Sequence, residues 1–320
     1  VNGAPMVIAA LSDSVRDRHM PPLWARPLRA REHQSDDDSS ARDLGDLLTD
    51  SAENLLSMGR ATAGFLRSVL RRRDVGSFIT PLGTPRSTLN RSIGSQRRFA
   101  TQQFEQSRIQ DLADATGSTL NEILAYLCGS SLRRFFKEYN ALPDESLIGG
   151  MPVSLQERSE SLPGNAIAGL RVSLGTHIGD PLARLAAVRE SMKEVRRDRA
   201  SLPEESVTAY VMMRAAPIYA SQAPGLGRLV PPLFNLTVSH TPGADSPRFF
   251  NGARLEAIYP MSQLMQFSAL SIDCVSYAGT LNVGFTGARD TLPHLQRMAV
   301  YLGKALEDLE ELVLEEELTR

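Results

Sequence analysis

Cysteine is nearly absent: the 320 residues hold two, Cys128 and Cys274, each inside an apolar segment. That excludes a disulfide framework and a cysteine-built zinc site, and makes a reducing, cytosolic setting the default. Long apolar runs are also missing. None reaches the roughly 18 residues that a membrane-spanning helix needs, and no signal peptide is visible. Neither sign of charge is in excess. With 35 Lys and Arg against 37 Asp and Glu, the net charge of −2 gives no reason to expect nucleic acid as a partner. None of the five histidines neighbours another, and no internal repeat is present. No metal and no resident cofactor is expected.

What is present is enough chain for a substantial core, as one large domain or two smaller ones. Residues 4–15 have apolar spacing that suits a helix. Met20 to Pro27 is a proline-rich extended stretch with the only tryptophan, Trp24, and Arg31 to Arg42 reads as a charged, mobile linker around Asp36-Asp37-Asp38. The strongest helical signal runs from Leu44 to Arg73. Leu47, Leu48, Leu55, Leu56, Phe65 and Val69 recur at three- and four-residue steps, and Arg71, Arg72 and Arg73 close the segment. Such a basic end suits an anionic membrane or lipid-droplet surface; a helix packed on its own domain and capped by its arginines has the same pattern.

Thr84 to Gly94 is rich in turns, and Arg97 to Gln102 reads as a strand. Helices follow over Gln106–Ala115 and Leu120–Tyr139, separated by the break at Gly117-Ser118-Thr119. Leu147–Ser154 and Ala166–Leu174 read as strands. Asp180–Arg197 reads as a helix with a solvated basic face of Arg184, Arg189, Lys193, Arg196 and Arg197. Leu202 to Gln222 is a Met- and Ala-rich helical region whose pliable apolar lining suits an acyl chain or ordinary core packing. Thr291–Leu318 closes the chain as an amphipathic helix.

Between these last two helices, Pro231 to Phe285 reads as a meander of short strands with turns at Pro, Gly, Asp and Ser. The strands are Leu233–Ser239, Ala253–Leu255, Tyr259–Ser262, Ala269–Ile272 and Ser276–Phe285. From Asn235 to Gly284 this stretch resembles the C-terminal domain of the bacterial wax ester synthase/diacylglycerol acyltransferase family. Members there read Asn-x-x-x-Ser-Asn-x-Pro-Gly, Gly-Ala-x-Leu, Tyr-Pro-x-Ser, Ala-Leu-Asn-Ile and Ser-Tyr-x-Gly-x-Leu-x-x-Gly in the same order. Arg97-Arg98-Phe99-Ala100, Thr119-Leu120-Asn121-Glu122 and Pro152-Val153-Ser154 match further family motifs, with Glu122 where aspartate is usual.

The resemblance implies an α+β fold: the chloramphenicol-acetyltransferase-like, CoA-dependent acyltransferase fold, mainly its C-terminal domain, with a mixed sheet flanked by helices. It divides the chain into 1–29, the tail of an N-terminal catalytic domain; 30–83, a linker and long amphipathic helix; and 84–320, the C-terminal acyltransferase domain. Val1-Asn2-Gly3 fits the end of the family's His-His-x-x-x-Asp-Gly motif, with Asn2 for aspartate, so the histidine pair is expected just before residue 1 and the chain is expected to be an internal portion. Asn2 and Gly3 would then belong to the catalytic motif.

The activity implied is transfer of a long-chain acyl group from acyl-CoA to a fatty alcohol or a diacylglycerol, with a motif histidine as general base. Acyl-CoA enters as substrate, the chain's own N-terminal domain or fragment is a partner, and the setting is cytoplasmic, peripheral to the inner membrane or lipid inclusions. A catalytically degenerate lipid-binding member, or a transferase using another hydroxyl acceptor, are the alternatives. The residues expected to bind substrate or shape a tunnel are Asn121, Glu122, Asn235, Ser239, His240, Ser262, Phe267, Ser271, Ser276 and Tyr277. For Asn121 and Glu122 helix capping is the competing role, and for Asn235, Ser276 and Tyr277 it is strand pairing and turn satisfaction. His240 replaces the family's usual asparagine, Phe267 a glycine and Ser271 an asparagine; the Phe267 ring is expected to narrow a tunnel.

Overall fold

The computed structural model describes residues 11–14, 84–154, 167–201, 221–222, 227–228 and 231–318. Asn2 and Gly3, the segments read as linker and amphipathic helix over 30–83, and nearly all of the Met-rich region from Leu202 lie outside the described residues. Of the helix expected over 4–15, residues 11–14 are described. Leu11 is buried, and Ser12 exchanges backbone hydrogen bonds with Phe249.

A six-stranded mixed sheet carries the fold. Its strands are β1 (Arg97–Glu105), β2 (Ile148–Ser154), β3 (Ile167–Ser173), β4 (Leu236–Pro242), β7 (Leu270–Tyr277) and β8 (Thr280–Ala288), in the order β1-β8-β7-β4-β2-β3. β5 (Phe249–Phe250) and β6 (Ala253–Arg254) form a separate small hairpin. The helices are α1 (Gln106–Thr116), α2 (Leu120–Glu138), α3 (Pro181–Ser201) and α4 (Gln296–Leu318). α2 packs between α3 and α4 and reaches β4, while α3 lies on β3 and α4 on β1. No helix among the described residues is long and apolar enough to cross a membrane.

The expected meander is not what forms. β7 and β8 are an antiparallel hairpin and β1 joins β8 antiparallel, but β4 pairs in parallel with both β2 and β7. A tight turn cannot join parallel neighbours, so the chain between β4 and β7 must cross over and return. Pro242 therefore ends β4 instead of opening a hairpin. The Tyr259–Ser262 segment, expected as a strand, is irregular. It lies against β8, where a side-chain carbon on Gly284 would sit 2.0 Å from the Pro260 carbonyl oxygen.

Strand periodicity gives the sheet two unlike faces. Val238, Ile272, Cys274, Val283 and Phe285 point into the helical layer and build the core. Burial pushes the Cys128 thiol up to about 12 and raises Cys274 well above its ordinary value, so both are inert packing groups. The other face bears Thr237, Ser239, Ser271, Asp273, Asn282 and Thr286, and over its end the crossover packs Ala244, Leu255 and Ile258 on Val275 and Tyr277.

The expected solvated basic face of α3 forms in part: Lys193, Arg196 and Arg197 are exposed, while Arg189 is half-buried and Arg184 is buried. Arg184 is 6 % exposed and donates to the Ile178 and Gly179 carbonyls and to Ser130 Oγ. Arg189 donates to the Thr116 and Gly117 carbonyls, and Arg196 pairs with Glu122. These arginines tie α3 to α2 and to the loops around it, and Arg189 does so through carbonyls at the end of α1 that lack intrahelical donors. α2 and the β3–α3 loop approach closely at Gly129, where a side-chain carbon would lie 2.1 Å from the Leu174 carbonyl oxygen.

Candidate active site

The N-terminus of α2 is fixed by local chemistry. Thr119 Oγ1 accepts from the Glu122 backbone N–H at 3.3 Å, and Glu122 Oε2 accepts from the Thr119 N–H at 2.8 Å, a reciprocal capping box. Glu122 Oε1 also accepts from Arg196 of α3. Burial pushes the Glu122 carboxyl up, but the Thr119 N–H and the Arg196 guanidinium outweigh burial and leave it below its ordinary 4.5. A depressed folded-state value stabilises the fold above the unfolded value and loses that contribution as pH falls through the folded one. Glu122→Gln keeps the capping geometry and removes the charge. Its melting temperature is therefore expected to be below wild type at neutral pH, with the gap constant down to about pH 4.5 and closing below it. Thermal melts across pH 3 to 8, at roughly unit spacing, check this; a gap that persists in acid means the charge is not the cause.

Once the cap sets the helix, Asn121 in its first turn faces the end of β4. His240 stands one strand residue beyond Ser239, on the helical face, opposite Cys274 of β7; Ser276 lies two residues further along β7 on the same face. The three side chains meet. His240 Nδ1 lies 3.1 Å from Asn121 Oδ1, and Nε2 lies 2.7 Å from Ser276 Oγ. Burial lowers the His240 pKa, so the ring is neutral near pH 7. With the amide oxygen as acceptor, Nδ1 carries the proton and donates it to Asn121, while Nε2 accepts from the Ser276 hydroxyl. Asn121 spends only its oxygen here, and no described protein group accepts from its Nδ2.

On the other face, Ser239 and Ser271 donate to the two oxygens of Asp273, at 2.6 and 2.7 Å. Asp273 is 4 % exposed. Ser271 and Thr237 also form the back of a cavity of about 100 Å³ beside Phe267, Phe234 and Leu264. Phe267 lines it at an unusual backbone geometry. Its φ is +64°, in the left-handed region where a side chain is disfavoured and glycine, the family's usual residue here, is not. Gly227 provides the space for the ring, since a side-chain carbon there would lie 1.8 Å from it.

The remaining candidates go into the fold. Asn235 is fully buried: Oδ1 accepts from the Ile148 N–H, and Nδ2 donates to the Pro85 carbonyl and to Asn90 Oδ1, each at 2.7 Å. Tyr277 is 1 % exposed; its hydroxyl donates to the Leu255 carbonyl and accepts from the Arg248 N–H, latching the crossover. Ser262 contributes its backbone N–H to Thr286 Oγ1. The structure thus brings together Asn121, His240 and Ser276, and separately Ser239 and Ser271. Sequence reasoning missed Asp273 and Gly227. A carboxylate alternating with Ser271 inside an apolar strand was a visible signal for the first; Gly227 carries none until the Phe267 ring is placed.

Comparison with known proteins gives a consistent result. The wax ester synthase/diacylglycerol acyltransferase catalytic-domain model matches residues 1–124, and the C-terminal-domain model of the same family matches residues 163–310. A Mycobacterium tuberculosis protein named as a diacylglycerol O-acyltransferase is 37% identical over 259 residues, 78% of this chain and 52% of its own length. A Mycobacterium bovis protein named likewise is 32% identical over 314 residues, 98% of this chain and 68% of its own length. The solved wax ester synthase/diacylglycerol acyltransferase from Marinobacter aquaeolei VT8 superposes with a TM-score of 0.72 at 28% identity, covering 96% of this chain and 64% of that one. The chain spans about half the length of the first curated relatives it matches, at 52%.

Proposed function

Since the chain belongs to the wax ester synthase/diacylglycerol acyltransferase family, we propose that the protein carrying it is an O-acyltransferase that moves a long-chain acyl group from acyl-CoA to a fatty alcohol or a diacylglycerol. In that reaction the acceptor hydroxyl oxygen attacks the thioester carbon, the carbonyl oxygen becomes an oxyanion, and the C–S bond breaks as the hydroxyl proton passes to the departing CoA thiol. The oxyanion needs a donor that is already oriented.

The observation that carries this reading is the linkage Ser276–His240–Asn121. It joins a residue from the stretch matched to the family's catalytic domain to two from the stretch matched to its C-terminal domain. Ser276 fixes His240, and the His240 Nδ1–H pins the Asn121 oxygen. The amide is thereby turned so that its Nδ2 hydrogens are left for a substrate oxygen. This is a preorganised donor, at the helix N-terminus where partial positive charge adds to it. His240 and Ser276 are positioning residues in this arrangement, and Asn121 is the group that touches substrate. Peripheral contact with a membrane or lipid inclusion, where such acceptors partition, belongs to the same reading.

The test is release of CoA thiol by the full-length protein from palmitoyl-CoA, with hexadecanol or a diacylglycerol supplied in turn. Acceptor-dependent thiol release with matching ester formation is expected. Thiol release that neither acceptor stimulates, or none at all, overturns the assignment.

A further inference from the structure

A second concentration of chemistry lies on the outer side of the helical layer, far from Asn121. Arg133 stands about 18 Å along α2 from that residue, at a helical rise of about 1.5 Å. Here α2, the start of α3 and α4 enclose an open cavity of about 310 Å³, lined by Arg133, Arg134, Lys137, Arg184 and a single acid, Asp308. The α2 cations follow from helical spacing, since positions 130, 133, 134 and 137 share one face. Arg184 arrives from the first turn of α3.

Charge at this place is not balanced. Asp308 pairs with Arg134 at 3.0 Å, where both side chains are about half exposed. The other nearby carboxylate, Asp180, is used as the cap of α3, accepting from the Ala183 N–H at 2.7 Å. Among the described residues, Arg133, Lys137 and Arg184 have no acid within ion-pair distance. Holding buried Arg184 and half-buried Arg133 side by side without an ion-paired acid is unfavourable, and a bound anion relieves it. The two arginines beside the β3–α3 loop are also preorganised. Arg184 is held by the Ile178 and Gly179 carbonyls and by Ser130 at 2.7–3.0 Å, and Arg133 by the Thr176 and His177 carbonyls at 2.7 and 3.1 Å. Guanidinium groups fixed in this way lose little freedom when they bind, and their fork matches the geometry of phosphate oxygens. Burial above all lowers the Arg184 pKa; the like charges of Arg133 and Arg134 add to this, while Tyr126 and Asp180 act against it.

We propose that this cavity binds a phosphate monoester, engaged by Arg133 and Arg184 from the loop side and by Lys137 from α2. The ester is either a soluble phosphate or the headgroup of an anionic phospholipid. The site is separate from the acyl-transfer centre and does not depend on the activity assigned to it.

Two arms distinguish the sources in the full-length protein: calorimetric titration with glycerol phosphate, and flotation with phosphatidylcholine vesicles containing phosphatidic acid. Lys137→Glu, at an exposed position, and Arg133→Gln are each expected to weaken binding by about tenfold or more, while Arg289→Gln, a cation elsewhere on the surface, leaves it unchanged. Glycerol phosphate binding that is lost in Lys137→Glu assigns a soluble ester; vesicle binding alone, lost in the same variant, assigns a headgroup. Absence of binding in both arms, or binding that Lys137→Glu leaves intact while the variant melts like wild type, overturns the proposal.

Discussion

Asn121→Ala is expected to slow acyl transfer by about a hundred- to a thousandfold, the usual cost of removing one oriented oxyanion donor. The loss should fall on kcat, because the donor acts on charge that develops only in the transition state. Asn121 is exposed and the α2 cap rests on Thr119 and Glu122, so the melting temperature should stay near wild type. Asn121→Asp separates donation from mere space filling. The carboxylate still accepts from His240 Nδ1, but it offers no N–H and places negative charge where the oxyanion forms, so its loss should equal or exceed that of alanine. His240→Asn, which restores the residue usual in the family, should cost about tenfold or less, since it removes an orienting contact and keeps the donor. Steady-state thiol release measures all three. Activity of Asn121→Ala within about twofold of wild type eliminates the donor role. The acid limb adds a check. Burial holds the His240 pKa below its ordinary 6.5. Protonation, which turns Nε2 from an acceptor of the Ser276 hydroxyl into a donor, therefore occurs only below that pH. Activity should hold above it and decline on its acid side.

Asn235→Ala is expected to cost about 3 to 5 kcal/mol of stability while leaving turnover per folded molecule nearly unchanged. The side chain joins its own segment to two others: it accepts from the start of β2 at Ile148, and it donates to Pro85 and to Asn90 around the Thr88–Asn90 turn. With the residue fully buried, removing the amide strands an N–H and two oxygens where water does not reach, and each such group costs about 1 to 3 kcal/mol. Denaturant melts give the stability, and active-site-normalised thiol release gives the turnover. A variant that melts like wild type but has lost selectivity among acceptors would restore Asn235 to the substrate site and remove it from the scaffold.

The contrast between these two asparagines marks the reach of the sequence. Each stands in a family motif, and each offers the same amide. Apolar periodicity was sufficient to place α1, α2 and α4 to within a few residues, as well as β1, β2 and β3, because burial of one face leaves its period in the chain. Thr119 and Glu122 announced the cap of α2 because capping operates over three residues. The α+β class and the family were legible for the same reason: both rest on short segments in a fixed order. Three things were decided only in the folded chain. One is the parallel pairing of β4 with β7, which carries His240 to Ser276 and both to Asn121 across 36 and 119 residues of sequence. Another is the burial of Arg184, which looked like one charge among several on a solvated helix face. The third is the match between the left-handed backbone of Phe267 and the bare α-carbon of Gly227. Periodicity records which face of an element is buried; it does not record which other element covers that face, and the site consists of contacts of that second kind.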